Sequence, residues 1–187
     1  MSESLDKGRH ALEEAFFAEH NELLRQRLIE ADRVQSRKAA LTAASGITDE
    51  AVLGRIMALG IGPETLAALS LAPLLLVAWA DGTLDAEERE AILAEAAKAH
   101  LGRQAQAREL FAGWLERKPP AALFDTWSAY VRAMAAGLAP PQREEMRGHL
   151  LASLRAVAEA SGGFFGLGRR ISGPEAAMLA RLEAAFA

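Results

Sequence analysis

An all-α fold, a compact bundle of about eight helices led by a long N-terminal helix, follows from three observations. The 187 residues include 41 Ala and 27 Leu, both strong helix formers, against only 16 Val, Ile and Thr combined, too few for a large sheet. Apolar positions recur at helical spacing and not in the strict alternation of a strand. Glycines, prolines and cap-then-acid pairs punctuate the chain where helices would end and restart. With 51% apolar and 25% charged residues, the chain is long enough to bury one real core.

The elements follow in order. From Leu5 to about Ala44 the apolar residues Leu5, Leu12, Phe16, Leu23, Leu24, Leu28 and Leu41 recur near helical spacing among acids and bases, which predicts a long amphipathic helix with room for one break. Ser45-Gly46 stops it. This gives two expected regions, the helix over 1–45 and a helical domain over 46–187. Thr48-Asp49-Glu50 opens the second helix, with the threonine hydroxyl as cap and two acids at the positive helix end, and it runs to about Leu59. Gly60-Ile61-Gly62-Pro63 turns the chain into a third helix over roughly 63–80, which Pro73 should kink because its ring removes an amide and crowds the carbonyl four residues back.

That helix ends at Asp81-Gly82, and Asp85 with Glu88 three residues on has the spacing of a capping box for the next, to about Leu101 and Gly102. Further helices fit 104–117, 120–136 after Pro119-Pro120, and 141–160 after Pro140-Pro141. The last begins at Ser172, where Ser172-Gly173-Pro174-Glu175 repeats the cap-then-Glu spacing. The stretch Val77-Ala78-Trp79-Ala80-Asp81-Gly82 is echoed by Val157-Ala158-Glu159-Ala160-Ser161-Gly162, each followed by a capped helix, the second after a longer insertion. This reads as a degenerate duplication.

Composition excludes several functions. With no cysteine there is no disulfide, thiolate zinc site or Cys nucleophile. A net charge of −4 disfavours nucleic acid, whose backbone needs clustered bases; the densest basic stretch, Arg25 to Lys38, is interrupted by Glu30 and Asp32. The start, MSESLD, has no basic lead into an apolar run, so a cytoplasmic location is expected. Leu66 to Ala80 is the longest apolar run, but its 15 residues fall short of the roughly 20 that cross a bilayer.

Asp81, Asp85, Glu87 and Glu88 lie within eight residues at a turn between helices. Hard divalent cations take oxygen ligands, and such a turn can aim several carboxylates at one point. The EF-hand loop does not fit, because its twelfth position counted from Asp81 is Ile92. The same residues also serve as an ordinary helix stop and cap.

Val77 to Leu93 (VAWADGTLDAEEREAIL), with the distant Gly168 to Leu179 (GRRISGPEAAML), resembles TerB-like domains, the all-α module named from tellurite resistance proteins. The matching positions are Ala80, Asp81, Gly82, Leu84, Asp85, Glu88 and Arg89, then Ile171, Ser172 and Glu175, within about 66–186. The resemblance implies a cytoplasmic, non-enzymatic helical module with a paired acidic motif for a divalent cation such as calcium or magnesium, linked to tellurite resistance, stress or phage defence. It makes Asp81, Asp85, Glu88 and Glu175 the candidate metal ligands. Ser161-Gly162 departs from the family's acid-Gly pair, which leaves fewer carboxylates for the ion.

Other motifs carry less. Gly163 and Gly168 have phosphate-loop spacing, but Arg169 and Arg170 stand where Lys and Ser or Thr are needed, and no strand precedes them. Phe164 and Phe165 beside those arginines suit a lipid headgroup layer, or fold back as core residues. Glu145 and His149 are four apart, whereas a di-iron bundle needs three. Trp79, Trp114 and Trp127 read as core anchors. The alternative to the metal-binding module is a scaffold without a metal, meeting a protein partner, a second copy of itself or a membrane surface.

Overall fold

The computed structural model describes the backbone of residues 2–99, 101, 104–160 and 172–186, and the side chains of those residues from 20 to 155 and from 172 to 186. Every regular element among them is helical: α1 Ser2–Ser45, α2 Glu50–Ala58, α3 Leu66–Ser70, α4 Ala72–Ala78, α5 Ala86–Lys98, α6 Ala105–Glu116, α7 Ala122–Ala136, α8 Pro140–Ala160 and α9 Gly173–Ala184, with a 3-10 turn at Pro63–Thr65. The chain forms two compact units, 1–39 and 40–187.

The first unit is one helix, the unbroken part of α1 up to Ala39. Among its described side chains Leu23, Leu24, Leu28 and Ile29 are all exposed, and Ile29 stands on the side away from the other three at about 100° per residue. The simple amphipathic pattern expected of this helix is therefore blurred.

The second unit takes in the last turn of α1, where Leu41 is fully buried. The helix stops as expected at Ser45-Gly46. Gly46 adopts φ +74°, a left-handed conformation that costs a residue with a Cβ, and its amide donates to the Thr42 carbonyl at 2.8 Å. The cap of α2 is Asp49 and not the Thr48 hydroxyl expected. Its carboxylate accepts from the Ala51 and Val52 amides at 2.8 and 3.1 Å, and an anion at that point also meets the positive helix end.

The expected third helix is divided. After the 3-10 turn, α3 ends at Ser70 and α4 starts at Ala72, with the break at Leu71. The cause is Pro73: it has no amide to give Leu69, so the chain tightens, the Leu71 amide bonding to Ala68 and the Leu74 amide to Leu71 at 3.2 and 3.1 Å. Every residue of α4 is buried. It packs on α3, α5, α6, α7, α8 and α9 and is the axis of the unit, which explains why the longest apolar run of the chain is found there. Among the described residues no single helix is long and apolar enough to cross a membrane.

Around this axis α5 packs on α8, α2 on α7 and α8 on α9. Trp127 is 1% exposed, its ring edge-on to Phe186 at 6.1 Å, and Trp114 is buried. Trp79 is half-buried, its indole N–H donating to the Trp114 carbonyl at 2.9 Å. The tryptophans thus hold α4, α6, α7 and the C-terminal turn together, as the anchors their spacing suggested.

Candidate functional site

The acidic elbow begins where the buried axis α4 runs out. At its end Gly82 takes φ +98°, which only glycine adopts freely, and the chain reverses toward α5. Asp81 is exposed; its Oδ1 accepts from both the amide and the hydroxyl of Thr83, at 3.0 and 3.1 Å. This Asx turn directs one aspartate oxygen onto the turn itself. Leu84 packs on the core and pins the loop from below.

Asp85 caps α5. Its Oδ1 accepts from the Glu88 amide at 2.8 Å, while Glu88 Oε2 accepts from the Asp85 amide at 2.9 Å, the reciprocal pair expected from the spacing. Arg89, one residue on, reaches the Leu115 carbonyl at 3.5 Å and ties the start of α5 to the end of α6.

The second helix start is built alike. Ser172 Oγ accepts from the Glu175 amide at 3.3 Å, and Glu175 Oε2 accepts from the Ser172 amide at 2.6 Å. The Arg147–Glu183 ion pair at 2.7 Å links α8 to α9 further along. In both boxes the glutamate is nearly enclosed, Glu88 and Glu175 each 5% exposed, although carboxylates are seldom buried without partners.

The two starts share one electrostatic neighbourhood. The Glu88 carboxyl is held above its ordinary pKa first by burial; the bond from the Asp85 amide pulls the other way, and the negative charges of Asp85, Glu175 and Asp81 add to the rise. Glu175 lies 87 positions away in sequence, so the fold brings the tail of the chain to the elbow. The four candidate residues divide into two exposed aspartates, Asp81 and Asp85, and two buried glutamates, Glu88 and Glu175.

As donors, the four are hard oxygen ligands suited to calcium or magnesium. Among the described residues, however, no group of three or more His, Asp or Glu side chains forms a ready cage for an ion. One oxygen of each glutamate already accepts a helix amide. Ile171, the Ser161-Gly162 echo and the loop with Gly163, Phe164, Phe165, Gly168, Arg169 and Arg170 lie outside the described residues.

Sequence reasoning passed over a cleft of about 200 Å³ beside the elbow, walled by Trp79 and Ala80 at the end of α4, Phe124 of α7, and Met178 and Arg181 of α9. The Arg181 guanidinium stacks over the Phe124 ring at 4.0 Å, a cation–π contact. Its signal in the sequence was slight, since Phe124 and Arg181 belong to helices far apart along the chain. Comparison with protein-family models, with curated proteins and with solved structures finds no match to this chain.

Proposed function

We propose that the chain is a non-enzymatic, cytoplasmic helical module of the TerB-like type, whose two acidic helix starts together hold a hydrated divalent cation through Asp81, Asp85, Glu88 and Glu175, in a stress or tellurite-resistance setting. The observation that supports this reading best is the convergence of carboxylates from both starts around Glu88. Four negative charges in one neighbourhood repel one another, and a divalent ion relieves that repulsion. Among the described residues no three-ligand cage is ready-made, so an ion held here would keep several waters, as magnesium does when one or two carboxylates hold it. Such a site is weak and answers to ion concentration.

Calorimetric titration and thermal shift with calcium, magnesium and manganese test the proposal. An ion at tenfold excess over its Kd adds about 1.4 kcal/mol of stability, a measurable rise in Tm. Glu88→Gln and Glu175→Gln separate the cation role from the cap role, because a glutamine at the third helical position still accepts the cap amide but carries no charge. Both variants should keep the fold and lose most of the metal response. Neither heat nor a Tm shift at millimolar metal overturns the proposal, and so does an undiminished response in both variants.

The exposed leucines of α1 favour a second reading, a scaffold that docks a protein or a membrane and needs no metal. Liposome flotation addresses its membrane form, including contact through Phe164 and Phe165: a chain that ignores anionic vesicles excludes it.

A further inference from the structure

We infer that the helix of residues 2–39 is a self-association surface, on which a second copy of the chain lies antiparallel. The inference is independent of the cation site. Residues 1–39 form a unit of one helix with no second element inside it to pack on. A lone helix in water gains little from its own hydrogen bonds; its stability comes from an apolar face that finds cover. Leu23, Leu24, Leu28 and Ile29 are 47%, 42%, 71% and 61% exposed, large apolar side chains left open to solvent. Leu23, Leu24 and Leu28 fall with Ala31 and Val34 on one strip about 140° wide. A strip of that width suits packing on one neighbouring helix. Ile29 lies outside the strip and takes no part.

Charge selects the occupant and its direction. In the sequence, residues 2–22 carry six acids (Glu3, Asp6, Glu13, Glu14, Glu19, Glu22) against two bases, and residues 23–39 carry five bases (Arg25, Arg27, Arg33, Arg37, Lys38) against two acids. The helix is therefore negative in its first half and positive in its second. A parallel copy sets like charge against like along the whole length. An antiparallel copy, crossing near residue 23, sets each acidic half against a basic half, and the helix dipoles oppose as well. A membrane is a poorer occupant, since an anionic surface that attracts the second half repels the first. The centre of the crossing coincides with Leu23 and Leu24, where the exposed apolar residues begin.

The test uses the full chain. Sedimentation equilibrium should give a dimer of the 20.0 kDa chain that dissociates on dilution, and more readily at high salt, which screens the facing halves. Leu24→Ser combined with Leu28→Ser should weaken association about tenfold or more while helical circular dichroism is kept, because both side chains already face solvent in the monomer. The chain has no cysteine, so single-cysteine variants report orientation. Leu24→Cys lies beside its own copy near the crossing and should form a disulfide-linked dimer on oxidation. Val34→Cys lies about 30 Å from its counterpart in an antiparallel pair and should not. A monomer at all concentrations overturns the inference, whether or not it binds vesicles or another protein. So does a dimer that survives both serines, or cross-linking at Val34→Cys as fast as at Leu24→Cys, the mark of a parallel pair.

Discussion

Glu88 couples a local motif to a distant one. Its side chain closes the capping box of α5, yet its charge is opposed by burial and by carboxylates on both helix starts. Because its pKa is raised in the folded chain, Glu88 binds its proton more tightly folded than unfolded. The stability this contributes is full below the unfolded pKa of a glutamate and is lost as pH rises through the raised, folded one. In metal-free buffer the Tm of Glu88→Gln should therefore exceed that of the parent chain by a margin that grows as pH climbs through this window. A constant margin across the same range would mean that burial and the neighbouring charges together do not raise the Glu88 pKa. At this scale the two cap-then-Glu pairs were legible, because a capping box spans four residues and needs nothing beyond them. The cap of α2 was misread for the same reason in reverse: Thr48 and Asp49 are both good caps, and which one serves depends on where the backbone first turns helical.

Among the elements, α4 bears the greatest share of the packing although it has only seven residues. Leu75 sits at its centre with no solvent exposure, and Leu75→Ala should cost about 2–5 kcal/mol in denaturant unfolding. Leu93→Ala, on the exposed side of α5, should change stability by less than about 0.5 kcal/mol. Comparable losses for the two would deny α4 its role as the axis. The sequence marked this element by its apolar run and marked the break by Pro73, since a missing amide acts wherever it falls. It did not show that the chain would tighten into two helices and not bend one, because that choice rests on how α3 and α4 each pack, α3 on α6 and α4 on six neighbours.

For the whole molecule, the all-helical class was legible from composition and periodicity, which report on every residue at once. The influence of the Glu175 charge on Glu88 was not legible from spacing. It depends on α8 and α9 folding back beside α4 and α5, a matter of long-range packing that one-dimensional patterns do not encode. The division at Ala39, inside α1 and not at its end, was hidden as well, because the helix continues across it and only the burial of Leu41 marks where the second unit begins. That division makes a further expectation: a chain of residues 40–187 should unfold cooperatively with a stability within about 1 kcal/mol of the full chain, as expected of a compact unit with its own core. Failure of this fragment to fold, read by circular dichroism and denaturant titration, would show that the helix of 1–39 is integral to the second unit.

The three tryptophans occupy unlike surroundings, and this gives the molecule its own optical gauge. Trp127 is sealed in the core and Trp114 nearly so, whereas Trp79 is half open and stands two residues before Asp81. Emission from the enclosed pair tracks global unfolding. The red-shifted component from Trp79 instead follows the polarity of the elbow, so an event confined to that turn has a colour of its own while the remainder of the fold stays silent.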